Sequence, residues 1–242
     1  MEDDLDVLAF GAHPDDMELM CGATLVKLVH KGYRVGVVAL TAGEMGTRGT
    51  PEIRRQEFQA ASKVMGLSAA KILDIPDGHV DMTQHNKLKV IREIRAYRPR
   101  IVFTPYWKTR HPDHAHCSHL VREGAFFAGL KKIDTGQPPY RPLRVAYCME
   151  LYDFRPSFVV DVSDTFDLKI KAMQAYQSQF FQPENAFREE ETFISSKEFL
   201  DSVIAWGQYW GSKIGAKYGE PFYVRELLRV DDPVQLLNAP GF

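Results

Sequence analysis

The chain has 242 residues, 45% of them apolar, and its 30 basic and 32 acidic residues nearly cancel to a net charge of −2. That composition suffices for a full core in one large domain, and it excludes a general nucleic-acid or membrane-surface binder that works through excess positive charge. No apolar run approaches the roughly 20 residues a membrane helix needs, the MEDDLD start has no signal-like apolar region, and Cys21, Cys117 and Cys148 form no CxxC pair, so a cytoplasmic protein without disulfides is expected.

In chain order, Leu5–Phe10 reads as a buried strand, and Met17 to about Lys31 as a helix stopped by Gly32. Arg34–Leu40 is a second strand and leads into a glycine-rich loop, TAGEMGTRGTP. A helix over Glu52–Met65 closes on Gly66, and a third strand, Lys71–Ile75, runs into a PDG turn. The helix Gln84–Tyr97 ends before Pro99 and is followed by a fourth strand, Ile101–Thr104. The irregular PYWKTRHPDH then enters a helix from about Ala115 to Leu130. Residues 131–143 form a polar, proline-containing loop. Beyond it lie strands at Val145–Met149 and Phe158–Val162, helices at Thr165–Gln179 and Ser196–Lys217, and a final strand in EPFYVRELLRV. The polar segment QPENAFREEE separates the two helices.

Strands alternating with helices at this spacing predict an α/β fold, a Rossmann-like and mostly parallel sheet with helices on both faces. Residues 1–242 read as a single domain, with a core over about 1–130 and a C-terminal α/β extension over about 131–242. In such sheets ligands bind beyond the carboxyl ends of the strands. HPDD follows strand one, TAGEMGTRGT strand two and RHPDH strand four, so three chemically dense loops converge on one edge.

Adjacent Asp15 and Asp16 repel at a buried edge unless a cation joins them. His13 and Asp16 stand three apart, as do His111 and His114. His13, Asp16 and His114 make an ordinary ligand set for a catalytic Zn2+, with a position left open for water; Fe2+ suits the same donors. Asp15 is then left beside the metal to take a proton from water, and His111 to stabilise an oxyanion or protonate a leaving amine. Asp113 is placed to hydrogen-bond a histidine ring from behind. The sum is a hydrolase of amides or esters.

Each HPD alone is equally well explained as a proline turn with a capping aspartate. Two of them on one edge favour the metal. His30, His85, His116 and His119 read as surface or packing residues, while His79, in the turn after strand three, remains a candidate.

AHPDDMELMCGATL and RHPDHAHC closely resemble the LmbE/PIG-L zinc-dependent N-acetylglucosaminyl deacetylases, and the likeness runs on through DLKIKAMQAYQSQF to GEPFYV. LTAGEMGTRGTPEIRRQE looks like the second loop of the bacillithiol branch, whose members deacetylate N-acetylglucosaminyl malate. The resemblance implies His13, Asp16 and His114 as zinc ligands, Asp15 as base and His111 as acid or oxyanion stabiliser. It also implies Arg54 and Arg110 as substrate contacts. Paired guanidiniums suit a dicarboxylate such as malate. The bland reading of Arg54 is a solvated helix-face charge paired with Glu57 or Glu52, and Arg48 has similar standing. Related mycothiol enzymes carry a tyrosine shortly before the second histidine motif. Here Thr109 precedes His111 by two residues, with Tyr106 and Trp107 earlier, so an aromatic from this loop is open. The family implies a small glycoconjugate substrate and a homo-oligomer, often a hexamer. Two rivals stand beside this reading: a metal-dependent deacetylase of a chito-oligosaccharide or antibiotic sugar, and a non-catalytic Rossmann-like nucleotide module. Against the latter, strand one is followed by GAHPDD and not GxGxxG.

Overall fold

The computed structural model describes residues 4–152, 154–183 and 192–234. Seven strands form one sheet: β1 (Val7–Gly11), β2 (Val35–Ala39), β3 (Ala69–Ile72), β4 (Ile101–Pro105), β5 (Arg144–Cys148), β6 (Phe158–Asp161) and β7 (Gly219–Val224). Their order is β3-β2-β1-β4-β5-β7-β6, and β7 alone is antiparallel to its neighbours. The helices are α1 (Asp16–His30), α2 (Pro51–Met65), α3 (Gln84–Tyr97), α4 (Pro112–Ala128), α5 (Phe166–Gln174) and α6 (Lys197–Ser212).

Period-two alternation places Val7 and Ala9 in one core and Leu8 and Phe10 in another on the opposite face. α1, α2, α5 and α6 cover the first face, and α3 and α4 the second. This is the predicted α/β arrangement. β1 is an interior strand, paired on one side with β2 and on the other with β4. The order of strand addition reverses between β1 and β4, so the loops after these parallel strands flank the crevice where such sheets bind ligands. No helix among the described residues is long and apolar enough to cross a membrane.

Several boundaries differ from expectation, among them the start of α4, which lies at Pro112 and not near Ala115 because His111 caps the helix. β3 lies at Ala69–Ile72 because its pairing ends at Ala39↔Ile72; Leu73 and Ile75 owe their apolar character to burial in the second core. α5 ends at Gln174, which frees Tyr176, Ser178 and Gln179 for the turns below. α6 stops at Ser212, ahead of Gly215 at φ 70°. The last strand ends at Val224, opposite Ala146, and Leu227, Leu228 and Val230 are exposed. Most of the QPENAFREEE segment lies outside the described residues.

α1 is two helical pieces joined at Cys21, whose backbone leaves helical geometry (φ −148°, ψ 20°). The break exposes amide N–H groups inside the protein. Glu220 of β7 accepts from Thr24 N at 2.7 Å and Ala23 N at 3.3 Å, and Lys169 Nζ lies 2.7 Å from the same carboxylate. A buried ion pair thus caps the second half of α1 from across the sheet.

Candidate metal centre and active site

β1 delivers the first motif. Gly11 ends the strand so close to α1 that an added Cβ would lie 2.8 Å from Asp16 Cβ. The chain then turns through His13 and Pro14 to Asp15, the residue preceding α1, which adopts φ 99°, a left-handed conformation uncommon outside glycine. Asp16 accepts from the His13 amide at 2.9 Å. β4 delivers the second motif, and His111 takes the cap position of α4, where its Nδ1 accepts from Asp113 N at 3.2 Å.

Three side chains from these loops meet. His13 Nδ1 lies 3.2 Å from His114 Nε2, and Asp16 lies 3.0 Å from His114 Nε2 and 3.6 Å from His13 Nδ1. One ligand atom from each falls within 4.8 Å of the others. A second grouping, His13, His111 and Asp113, meets the same distance test. It fits an ion less well, because Nδ1 of His111 is taken by the Asp113 amide.

Each histidine of the triad is backed by carboxylates. His13 Nε2 lies 3.0 Å from Asp77 and 3.6 Å from Asp113. His114 Nδ1 lies 3.0 Å from Glu150, at ion-pair distance though not aligned as a hydrogen bond. Thr109 donates its hydroxyl to the same Glu150 carboxylate. Burial opposes charge on both rings. The aspartates outweigh it at His13, and Asp16 with Glu150 raises His114 to about 9. Asp16 is held well below the usual carboxylate range, since His114 and His13 overcome its burial. The buried acids thus demand positive charge between them, and protons on the imidazoles or a divalent cation can supply it. Two imidazole nitrogens and a carboxylate pointing at one spot fit the cation.

Asp15 is buried and stands beside the triad. Burial raises its carboxyl to about 6 against the pull of Arg54. Arg54, expected as a substrate contact or a solvated helix charge, is only 4% exposed. It donates to Asp15 at 3.0 Å, to Pro14 O at 2.7 Å and to Gly43 O at 3.3 Å. Gly43, at φ 68°, leaves it room; a Cβ there would lie 2.5 Å from the guanidinium. Arg54 still borders the cavity, but its hydrogen bonds go to Asp15, to the Pro14 carbonyl beside it and to the glycine-rich loop at Gly43.

The remaining loops are stitched to this edge. Asp77, in the PDG turn, accepts from Met45 N at 2.9 Å, while its own amide donates to Glu44 at 2.8 Å. Gly78 N donates to Asp113 at 2.8 Å. The His79 side chain, by contrast, is 71% exposed and faces Asp81, away from the site. Arg48 contributes a carbonyl that accepts from Gln179. Tyr106 stacks with Trp107 and Phe154 in an aromatic cluster and does not border the cavity.

The cavity over the triad has about 360 Å³. Asp15, Arg110 and His111 form part of its polar wall, and Met45, Phe180 and Ile194 part of its apolar one. Arg110 is exposed, with its guanidinium 5.0 Å over the Phe193 ring. The loops bring together all eight residues singled out from the sequence. Asp77 and Glu150 were not among them. Each had the same weak signal, an acid just beyond the carboxyl end of a predicted strand: Asp77 after strand three and Glu150 after Val145–Met149.

A family model described as GlcNAc-PI de-N-acetylase (PIG-L) matches residues 8–125. Diacetylchitobiose deacetylase of Thermococcus kodakarensis is 30% identical, over 88% of this chain and 80% of its own length. A probable N-acetyl-alpha-D-glucosaminyl L-malate deacetylase 2 of Bacillus cereus is 28% identical over 86% and 97%. The crystal structure of the conserved protein TT1542 from Thermus thermophilus superposes with a TM-score of 0.84 at 36% identity, covering 94% of this chain and 98% of that one.

Proposed function

The chain belongs to the PIG-L family and is an enzyme acting on amide bonds, and from that premise we propose that it removes acetyl from an N-acetylglucosaminyl conjugate, N-acetyl-alpha-D-glucosaminyl L-malate of bacillithiol biosynthesis first among them. The observation that carries this is the meeting of His13, Asp16 and His114 with Asp15 left over on the cavity wall. His13, Asp16 and His114 would hold the ion, Zn2+ by preference and Fe2+ as the alternative. When bound, it supplies Lewis acidity that acidifies water and polarises the acyl carbonyl.

The protein supplies the proton transfers. Asp15, poised near neutrality and fixed by Arg54, accepts the proton of the attacking water. As the C–N bond breaks it returns that proton to the amine nitrogen, so acetate and a free amine leave. His111 has its Nδ1 occupied as an acceptor, so the neutral ring carries its proton on Nε2. Burial and positive charge at the triad lower its pKa and favour that neutral form. It serves as a hydrogen-bond donor to the developing oxyanion, and not as the acid for the amine. The reading places the reaction in the cytoplasm, in a homo-oligomer of the kind the family implies.

Arg110 supports the malate assignment: it stands at the cavity wall, and among the described residues no carboxylate partners it. A second reading, a chito-oligosaccharide deacetylase, is favoured by the occupied state of Arg54, which leaves Arg110 as the free one of the two arginines among the described residues. An amine-release assay on N-acetylglucosaminyl malate, N-acetylglucosamine and chitobiose, with Zn2+ removed and restored, separates them. We expect metal-dependent preference for the malate conjugate, and Arg110→Ala to reduce that activity more than activity on N-acetylglucosamine. Equal losses, or activity on chitobiose alone, would discard malate.

A further inference from the structure

A cavity of about 480 Å³, larger than the one over the triad, opens at the opposite end of the sheet. Its walls are the last turns of α4, the start of β5 and the residues after β7. His114 and Phe126 lie twelve residues apart on α4, roughly 18 Å at about 1.5 Å per residue, so it is separate from the active site.

Four arginines line it, Arg122, Arg141, Arg144 and Arg225, against two acids, Glu123 and Glu226. On a chain of net charge −2 this is a local excess of positive charge. Glu123 is already engaged, 3.3 Å from Lys87 and 4.0 Å from Arg122. Among the described residues no carboxylate lies at ion-pair distance from Arg141, Arg144 or Arg225. Two of these guanidiniums lie over aromatic faces, Arg141 4.4 Å over Phe126 and Arg225 4.4 Å over Trp107 and 5.8 Å over Tyr147, while Arg141 and Arg144 each spend one N–H group on a backbone carbonyl, of Phe126 and Leu143, at 2.9 Å. Stacking fixes a guanidinium without neutralising it and leaves N–H groups at its edge for an acceptor. The Nε of Arg122 is shut off from solvent with no acceptor.

We propose that this cavity binds a small phosphate-bearing anion of at least two charges. Phosphate matches the forked guanidinium through paired hydrogen bonds, and the volume is that of a small-molecule site. The Phe126 and Tyr147 rings give an organic part of the ligand an apolar wall.

Calorimetric titration of the full chain with inorganic pyrophosphate and tripolyphosphate, at fixed ionic strength, tests this. A single site is expected, weakened about tenfold or more in Arg144→Gln/Arg225→Gln and unchanged in His13→Ala, which lies at the triad. Circular dichroism and a melt check that the variants fold, and Arg141→Gln gives a second, independent reading. Absence of binding, or binding that survives the arginine changes, overturns the proposal. So does loss of binding in His13→Ala, which would put the anion at the triad. A fall in solution mass on changing the arginines, without phosphate binding, would also overturn it and make this face a contact between copies of the chain.

Discussion

The first 130 residues and those that follow build the active site in different ways. The first part carries every group proposed to touch metal or substrate: His13, Asp15, Asp16, Arg110, His111 and His114. The second part carries groups that hold those in place. Glu150 stands behind His114, Tyr176 donates to the buried Glu18 at 2.9 Å, Ser178 donates twice to Glu57 on α2, and Glu220 caps the broken α1. The chemistry is local in sequence and its support is not.

The sharpest way to break that division is to remove a group from each side. Asp15→Ala should lower deacetylation by about 10²–10⁴-fold with metal content unchanged, because it removes the base and not a ligand. Metal analysis beside the assay checks it, and loss of metal would exchange the roles of Asp15 and Asp16. His13→Ala or His114→Ala should instead empty the site, and full metal occupancy in either variant would sink the ligand set. From the second part, Glu150→Gln should cost about 10–100-fold in metal affinity or turnover. A wild-type result in a competitive chelator titration would show that the extension does not support the centre.

Two smaller effects sharpen the contrast. Glu220→Gln leaves Lys169 buried without its partner and uncaps α1, and should destabilise the fold by about 3 kcal/mol in urea unfolding. Arg54→Gln removes the cation that opposes the raised pKa of Asp15. The base form of Asp15 exists above its pKa, so activity falls as pH drops through it. The acid limb of kcat/KM should therefore move to higher pH in the variant, and a limb that stays put would detach Arg54 from the base.

The division also decides what was legible. His13 with Asp16 and His111 with His114 could be read because spacing within one turn is enough to converge ligands, and because strand patterns put both loops on one edge. Asp113 was found for the same reason. Arg54 was found as a residue but not in its surroundings: helix periodicity does not reveal that the loop of Gly43 folds over it. Tyr176 and Glu220 lie in stretches that carry the family likeness, but nothing in those stretches marks their contacts, which the early end of α5 and the antiparallel return of β7 create; Glu150 follows the carboxyl end of β5 and so faces the same edge as the histidine loops. The histidine in the PDG turn drew notice by its type, yet Asp77 two positions earlier faces the site, because the turn directs one side chain inward and the other to solvent.

The break in α1 bears on the order in which this protein is made. Asp16 lies in the first piece of the helix, while the second piece is completed only by Glu220. A nascent chain that has left the ribosome through α4 holds His13, Asp16 and His114 but lacks Glu150 behind His114 and the carboxylate that seats α1. If these three side chains hold the ion as proposed, its tight capture waits for the strand that completes the sheet between β5 and β6.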